Sequence, residues 1–167
     1  RVEDVVKAFA NLVPTNIDAH LVIGNDGGLR PRLQRIVHSL RLEHRVTFIG
    51  HQPEESLPEL LRAADAYVTA SEVDGSSVTL LQAMACGTPI VASDIPGNIQ
   101  WITPGATGLL FRLADSADLT AALGQILDSD GSETASMLGS RARAMVAERA
   151  DWARNIMQLA QILTTLP

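Results

Sequence analysis

The sequence predicts an α/β domain, doubly wound around a mostly parallel sheet and closed by a helical C-terminal tail. Three observations point there. Short apolar runs alternate with stretches of helical periodicity. The runs, such as Ala19-His20-Leu21-Val22-Ile23-Gly24 and Val46-Thr47-Phe48-Ile49-Gly50, are nearly continuous rather than alternating in hydropathy. That is the mark of parallel strands covered on both faces. Strand-helix alternation then makes right-handed crossovers the natural connection.

The elements follow in order. Val2, Val5, Val6, Phe9 and Ala10 recur at helical spacing, predicting a first helix that ends before Pro14. The strand from Ala19 to Gly24 is stopped by the turn Asn25-Asp26-Gly27-Gly28. Leu29 to Leu40 reads as a helix with Leu33, Ile36, Val37 and Leu40 inward, and Val46 to Gly50 as the next strand. Pro53 to Ala63 holds a short helix, and Ala66 to Ala70 is a third strand. Ser77 to Ala85 is a helix, followed by strands at Pro89–Ala92 and Gly108–Phe111. From Ser116 onward the chain reads as helices over about 116–128, 132–147 and 150–164. No repeat or low-complexity segment divides it, so residues 1–167 are expected to form one domain.

Composition narrows the function. A hydrophobic content of 46% fits a folded domain, and a net charge of −6 opposes a nucleic-acid surface. Aromatics at 4% are too few for base-stacking platforms. Cys86 is the one cysteine, which excludes an internal disulfide and suits a reducing compartment. Its apolar setting, Met84-Ala85-Cys86-Gly87, predicts a buried structural thiol. No apolar run approaches the roughly 18 residues of a membrane span. Arg1-Val2-Glu3-Asp4 begins almost inside a helix pattern without an initiator Met, so a fragment of a longer protein is expected.

The stretch from Ala70 to Pro96 carries the most chemistry. An acidic, Gly-containing loop runs into an amphipathic helix, and a Gly-Thr-Pro turn leads to a strand. The loop follows a strand, so it lies at the carboxyl edge of the sheet, where open α/β sheets bind ligands. Gly75 can let backbone N–H groups approach a ligand, and Ser76 or Ser77 can cap the helix. The uncapped helix N–H groups and the dipole suit a diphosphate. Asp74 and Gln82, eight positions apart, can face one ligand, and the Gln82 amide fits a ribose diol. A solvated loop with a surface Gln stays open beside this reading.

Other segments are weaker. Gly50-His51-Gln52 lies on the same edge and could edge a flat ring, or be an ordinary turn. Gly24-Asn25-Asp26-Gly27-Gly28 has neither G-x-G-x-x-G spacing nor a Walker Lys and reads as a turn. Ser93-Asp94-Ile95-Pro96-Gly97-Asn98 is either a turn or a cleft wall. His20, His38, His44 and His51 show no metal-ligand spacing, so no metal site is expected. Trp101 and Trp152 read as helix-packing residues, and Glu133, Arg141, Arg143, Glu148 and Arg149 as a solvated face.

Together the blocks resemble the carboxyl-terminal domain of retaining glycosyltransferases of the group 1, or family 4, type, built from two facing Rossmann-like domains (GT-B). The resemblance rests on L-V-I-G-N-D-G, R-V-T-F-I-G, L-P-E-L-L-R-A-A-D-A-Y-V-T-A-S, D-G-S-S-V-T-L-L-Q-A-M-A-C-G-T-P-I-V-A-S-D-I-P-G and G-A-T-G-L-L-F, in that order. In that family a Glu-x7-Glu motif brackets the loop and helix, one acid near the donor sugar and the other on the ribose. Asp74 and Gln82 stand at the matching positions. The resemblance implies Asp74 in the catalytic role, and donor binding by Gly75, Ser76, Ser77 and Gln82, with the base against Gly50 and His51. It implies a nucleotide-diphosphate sugar as donor, with no cofactor or metal required. It also implies a missing first strand with its Arg and Lys loop, and a missing amino-terminal acceptor domain. The full-length protein is then expected to be a hexosyltransferase, the isolated chain inactive. The expected location is cytoplasmic, with room for peripheral membrane association through the absent half. An epimerase of the same build and a non-catalytic nucleotide-sugar module are the alternatives.

Overall fold

The computed structural model describes residues 1–15, 18–24, 26–128 and 131–165. Its strands are β1 (Leu21–Gly24), β2 (Val46–Gly50), β3 (Tyr67–Thr69), β4 (Ile90–Ser93) and β5 (Leu109–Phe111). The helices are α1 (Val2–Leu12), α2 (Arg30–Ser39), α3 (Leu57–Ala63), α4 (Val78–Cys86), α5 (Pro96–Ile99), α6 (Ser116–Leu127), α7 (Ser132–Arg149) and α8 (Trp152–Thr165). A 3-10 turn, Glu54–Ser56, leads into α3. Every strand pairing is parallel. The expected α/β class and the order of its main elements are present. Asn25, part of the expected turn after β1, lies outside the described residues.

The ladders form two sheets, β1-β2 and β3-β4-β5. Leu21 pairs with Val46, Tyr67 with Ile90, and Val91 with Leu109. β4 has a partner on each side and is buried at every residue. β1 pairs with β2 alone among the described residues, and its Val22 is 45% exposed. The expectation of strands buried on both faces therefore holds for β4 and not for β1. Burial from both faces requires neighbours on both edges as well as helices above and below.

Two apolar clusters flank the sheet. One gathers Val5, Val6, Phe9 and Leu12 of α1, Leu33 and Val37 of α2, and Leu119, Leu123 and Ile126 of α6. The other gathers Leu61 of α3, Leu80, Ala83 and Met84 of α4, and Ala142 and Val146 of α7. Val91 belongs to the first cluster, Ile90 and Ala92 to the second. Alternation along one strand thus feeds opposite faces, which is what makes the domain doubly wound.

Two glycines fix how α4 is held. Gly87 adopts φ 79° and ends the helix in the left-handed conformation that favours glycine. Gly139 of α7 crosses it so closely that a Cβ there would lie 2.0 Å from the Gly87 carbonyl oxygen.

Several expectations change. Leu40 is exposed rather than inward, because α2 ends at Ser39. Cys86 is half-buried rather than fully buried, with Sγ 3.8 Å from the Pro58 carbonyl oxygen. Trp152 does not pack: it is 77% exposed, and no residue of α8 is buried. Nothing among the described residues covers that helix.

Candidate functional site

The carboxyl ends of β3 and β4 place the loop from Ser71 to Ser77. Ser93, fully buried at the end of β4, donates through Oγ to the Ser71 carbonyl at 2.7 Å. Asn98 is buried and donates through Nδ2 to the Ser93 carbonyl at 2.9 Å. Its Oδ1 has no protein partner among the described residues. The Ser93–Asn98 segment is therefore structural scaffolding that includes the short helix α5, beyond the turn or cleft wall expected. Asp94 is part of that scaffold: its Oδ1 accepts from the Leu113 N–H at 2.9 Å.

The loop ends in a capped helix. Ser77 is the N-cap of α4, its Oγ accepting from the Leu80 N–H at 3.3 Å. The N–H groups of Val78 and Thr79 precede the first intrahelical bond and have no acceptor inside α4. They form the positive end of a helix whose far end is buried against α7. A Cβ built on Gly75 meets nothing within 4 Å, so the space over that residue is open.

Asp74 is half-buried, and its carboxylate makes no hydrogen bond or ion pair with the described residues. Gln82, one and a half turns into α4, is likewise half-buried with an uncommitted amide. Glu72, two residues before Asp74, is committed: it accepts from Arg1 Nη1 at 2.7 Å. Arg1 also pairs with Asp4 at 2.5 Å, so two carboxylates hold its guanidinium. The sequence gives no sign that Tyr67 belongs here. Burial pushes its phenol pKa up, hydrogen bonding to Ser77 and Thr69 opposes that, and the Asp74 carboxylate adds to the rise. Tyr67 thus lies beneath the loop, within the field of Asp74.

Gly50 ends β2 at φ 69°, a conformation that favours glycine, and pairs with Gly24 after a register shift that skips Ile49. His51 follows it, exposed. Gln52 does not face outward with it, because its Nε2 turns back to the Ile49 carbonyl at 2.8 Å. Arg30 fills that place instead. Its guanidinium lies 5.6 Å over the Phe48 ring, pairs with Asp26 at 2.8 Å, and sits 3.8 Å from where a Gly50 Cβ would be. An open surface hollow on α2 is lined by Pro31, Gln34, Arg35 and His38.

The carboxyl ends of β3 and β4 thus present an uncommitted carboxylate, an uncommitted amide and a capped helix N-terminus, and a positive-φ glycine ends β2 of the other sheet. The family model for Glycosyl transferases group 1 matches residues 1–145, and the chain belongs to that family. N-acetyl-alpha-D-glucosaminyl L-malate synthase of Bacillus anthracis is 36% identical over 149 residues, covering 89% of this chain and 38% of that protein. Sucrose-phosphate synthase of Thermosynechococcus elongatus is similar in structure, with TM-score 0.86 and 31% identity over 98% of this chain and 41% of that one. HepE of Anabaena, solved with UDP and glucose, has TM-score 0.88 at 24% identity, covering 98% of this chain and 44% of that one. That last likeness shows the Rossmann-like GT-B fold. The chain spans less than half the length of these three proteins.

Proposed function

We propose that this chain is the donor-binding domain of a retaining glycosyltransferase that uses a nucleotide-diphosphate sugar. The observation that carries the reading is the Asp74–Ser77 loop running into the capped N-terminus of α4, with Asp74 and Gln82 both uncommitted. HepE's complex with UDP and glucose supports it. The diphosphate would lie against the backbone N–H groups of Gly75, Ser76 and Ser77 and the first turn of α4. Gln82 would hold the ribose, and the base would rest on Gly50 and His51.

In the reaction, the bond from the sugar's anomeric carbon to the diphosphate oxygen breaks. The acceptor hydroxyl oxygen bonds to that carbon on the same face, and its proton passes to the departing phosphate. Negative charge grows on the diphosphate, where fixed N–H donors and the helix dipole stabilise it without reorganising. Positive charge grows on the sugar ring, where the Asp74 carboxylate steadies it electrostatically. The acceptor site belongs to a second domain, and the unpaired edge of β1 supports a further strand supplied by the longer protein.

Neutral Gln82 favours a second reading: a nucleotide-sugar-binding module without turnover. One experiment separates the two. The full-length protein is titrated and assayed with uridine, guanosine and adenosine diphosphate sugars, alongside Asp74→Ala and Gln82→Glu. Transfer by the wild type, and its loss by about 100-fold or more in Asp74→Ala, supports the first reading. Binding without transfer, with transfer appearing in Gln82→Glu, supports the second. Full transfer by Asp74→Ala removes Asp74 from the mechanism.

A further inference from the structure

We propose that Gln100 and Trp101 are positioning residues that set the donor loop and make the Ser76 hydroxyl a dedicated donor to a phosphate oxygen. The proposal rests on the donor-site reading above. Both residues follow α5, and both reach the loop. Gln100 Nε2 donates to the Gly75 carbonyl at 2.6 Å, to Ser76 Oγ at 2.9 Å and to the Gly97 carbonyl at 3.1 Å. Trp101 Nε1 donates to the same Ser76 Oγ at 3.2 Å.

A serine hydroxyl has two acceptor lone pairs and one O–H donor. Trp101 N–H takes one lone pair of Ser76, and the Gln100 amide, whose two N–H groups are shared among three acceptors, lies against the other. Its O–H is then the group left over, and near-tetrahedral oxygen geometry points it away from Gln100 and Trp101. No described residue accepts it. Ser76 is exposed on the loop that precedes α4, so an anionic ligand at that helix end would meet an O–H donor and never a lone pair.

The support behind Ser76 is rigid. The Arg149 guanidinium at the end of α7 lies 4.9 Å over the Trp101 ring and holds the indole by a cation–π contact. Gly97 lets α5 approach until its missing Cβ would sit 2.1 Å from the Asp74 carbonyl oxygen. Loop, α5 and the end of α7 therefore form one braced unit, with Ser76 at its outer tip.

The test uses the full-length protein and the nucleotide sugar that it transfers from the panel above. Trp101→Phe keeps the ring and removes the N–H. Gln100→Leu keeps the volume and removes the donors. Ser76→Thr keeps the hydroxyl, and Ser76→Ala removes it. Expected are losses of about tenfold or more in donor kcat/KM for Trp101→Phe, Gln100→Leu and Ser76→Ala, with acceptor KM unchanged. Ser76→Thr should stay within about threefold of the wild type, because the donor survives. Adding Trp101→Phe to Ser76→Ala should cost nothing further, since Trp101 acts through Ser76. Donor kinetics at wild-type values in Trp101→Phe and Gln100→Leu overturn the proposal, as do losses that multiply in the double variant. A wild type that neither binds nor transfers from any nucleotide sugar overturns the donor-site reading together with it; where it binds without transfer, the same losses are read in the donor Kd. Wild-type turnover with unaffected variants overturns this proposal alone.

Discussion

Replacing Gly97 with alanine probes how closely the donor loop is held. The added methyl would lie 2.1 Å from the Asp74 carbonyl oxygen and 2.8 Å from its carbon, where ordinary contact begins at 3.4 Å. Both neighbours are backbone, so no side chain can rotate away. The Asp74–Gly75 segment must move by at least about 1 Å, or α5 must move back against the buried Asn98. Overpacking of this kind costs about 1–3 kcal/mol. In a chain of this size that lowers Tm by roughly 2–4 °C per kcal/mol. A displacement of about 1 Å at the reacting group carries a penalty of about 100-fold in turnover. The two losses separate in a matched comparison. Gly139→Ala creates a similar clash, 2.0 Å from the Gly87 carbonyl oxygen, but on the side of α4 away from the loop. Thermal unfolding and donor-saturation kinetics of the full-length protein should show Tm falling in both variants and turnover collapsing only in Gly97→Ala. Wild-type turnover in Gly97→Ala would refute the claim that the loop is seated on that glycine.

The remaining predictions concern stability and ionisation. Tyr67 is the one tyrosine of the chain, and burial raises its pKa. Its neutral phenol therefore contributes stability that is fully present below about pH 10, the unfolded value, and is lost as pH rises through the folded value. The phenolate difference spectrum between wild type and Tyr67→Phe should show a midpoint above 10; a midpoint at or below it removes the burial argument. Thr88 is buried and donates through Oγ1 to the Leu61 carbonyl at 2.7 Å. Thr88→Val should cost about 1 kcal/mol by denaturant titration, at the low end for an orphaned group, because that carbonyl keeps the Ala64 N–H. Ser77→Ala removes the α4 cap and should cost about 1 kcal/mol in the same measurement, with no effect counting against the cap.

The site was legible in unequal parts. Asp74, Gln82 and the capped start of α4 could be placed from the sequence, because their spacing is local and the preceding strand fixes the edge. Ser77 caps the helix as its residue type predicts. Tyr67, Gln100 and Trp101 could not be placed, because each reaches the loop through a contact that chain spacing does not encode. Gln100 lies 25 residues from the Gly75 carbonyl that it touches. Arg149 read as solvated surface for the same reason, yet it stacks on Trp101, 48 positions away in sequence. Gln52 shows the opposite error: its position suited a ligand-facing amide, but the carbonyl of Ile49 was nearer.

Sequence alone determined the alternation of apolar strand and amphipathic helix, hence the parallel α/β class, and the family. These follow from short-range periodicity and residue type, which the chain carries wherever it folds. Only the tertiary structure decided that the ladder divides between β1-β2 and β3-β4-β5, that Gly97 is needed for close approach, and that two side chains just after α5 donate to Ser76 Oγ. Those outcomes depend on which distant atoms compete for the same space and the same hydrogen bonds, and that competition exists only once the chain is packed.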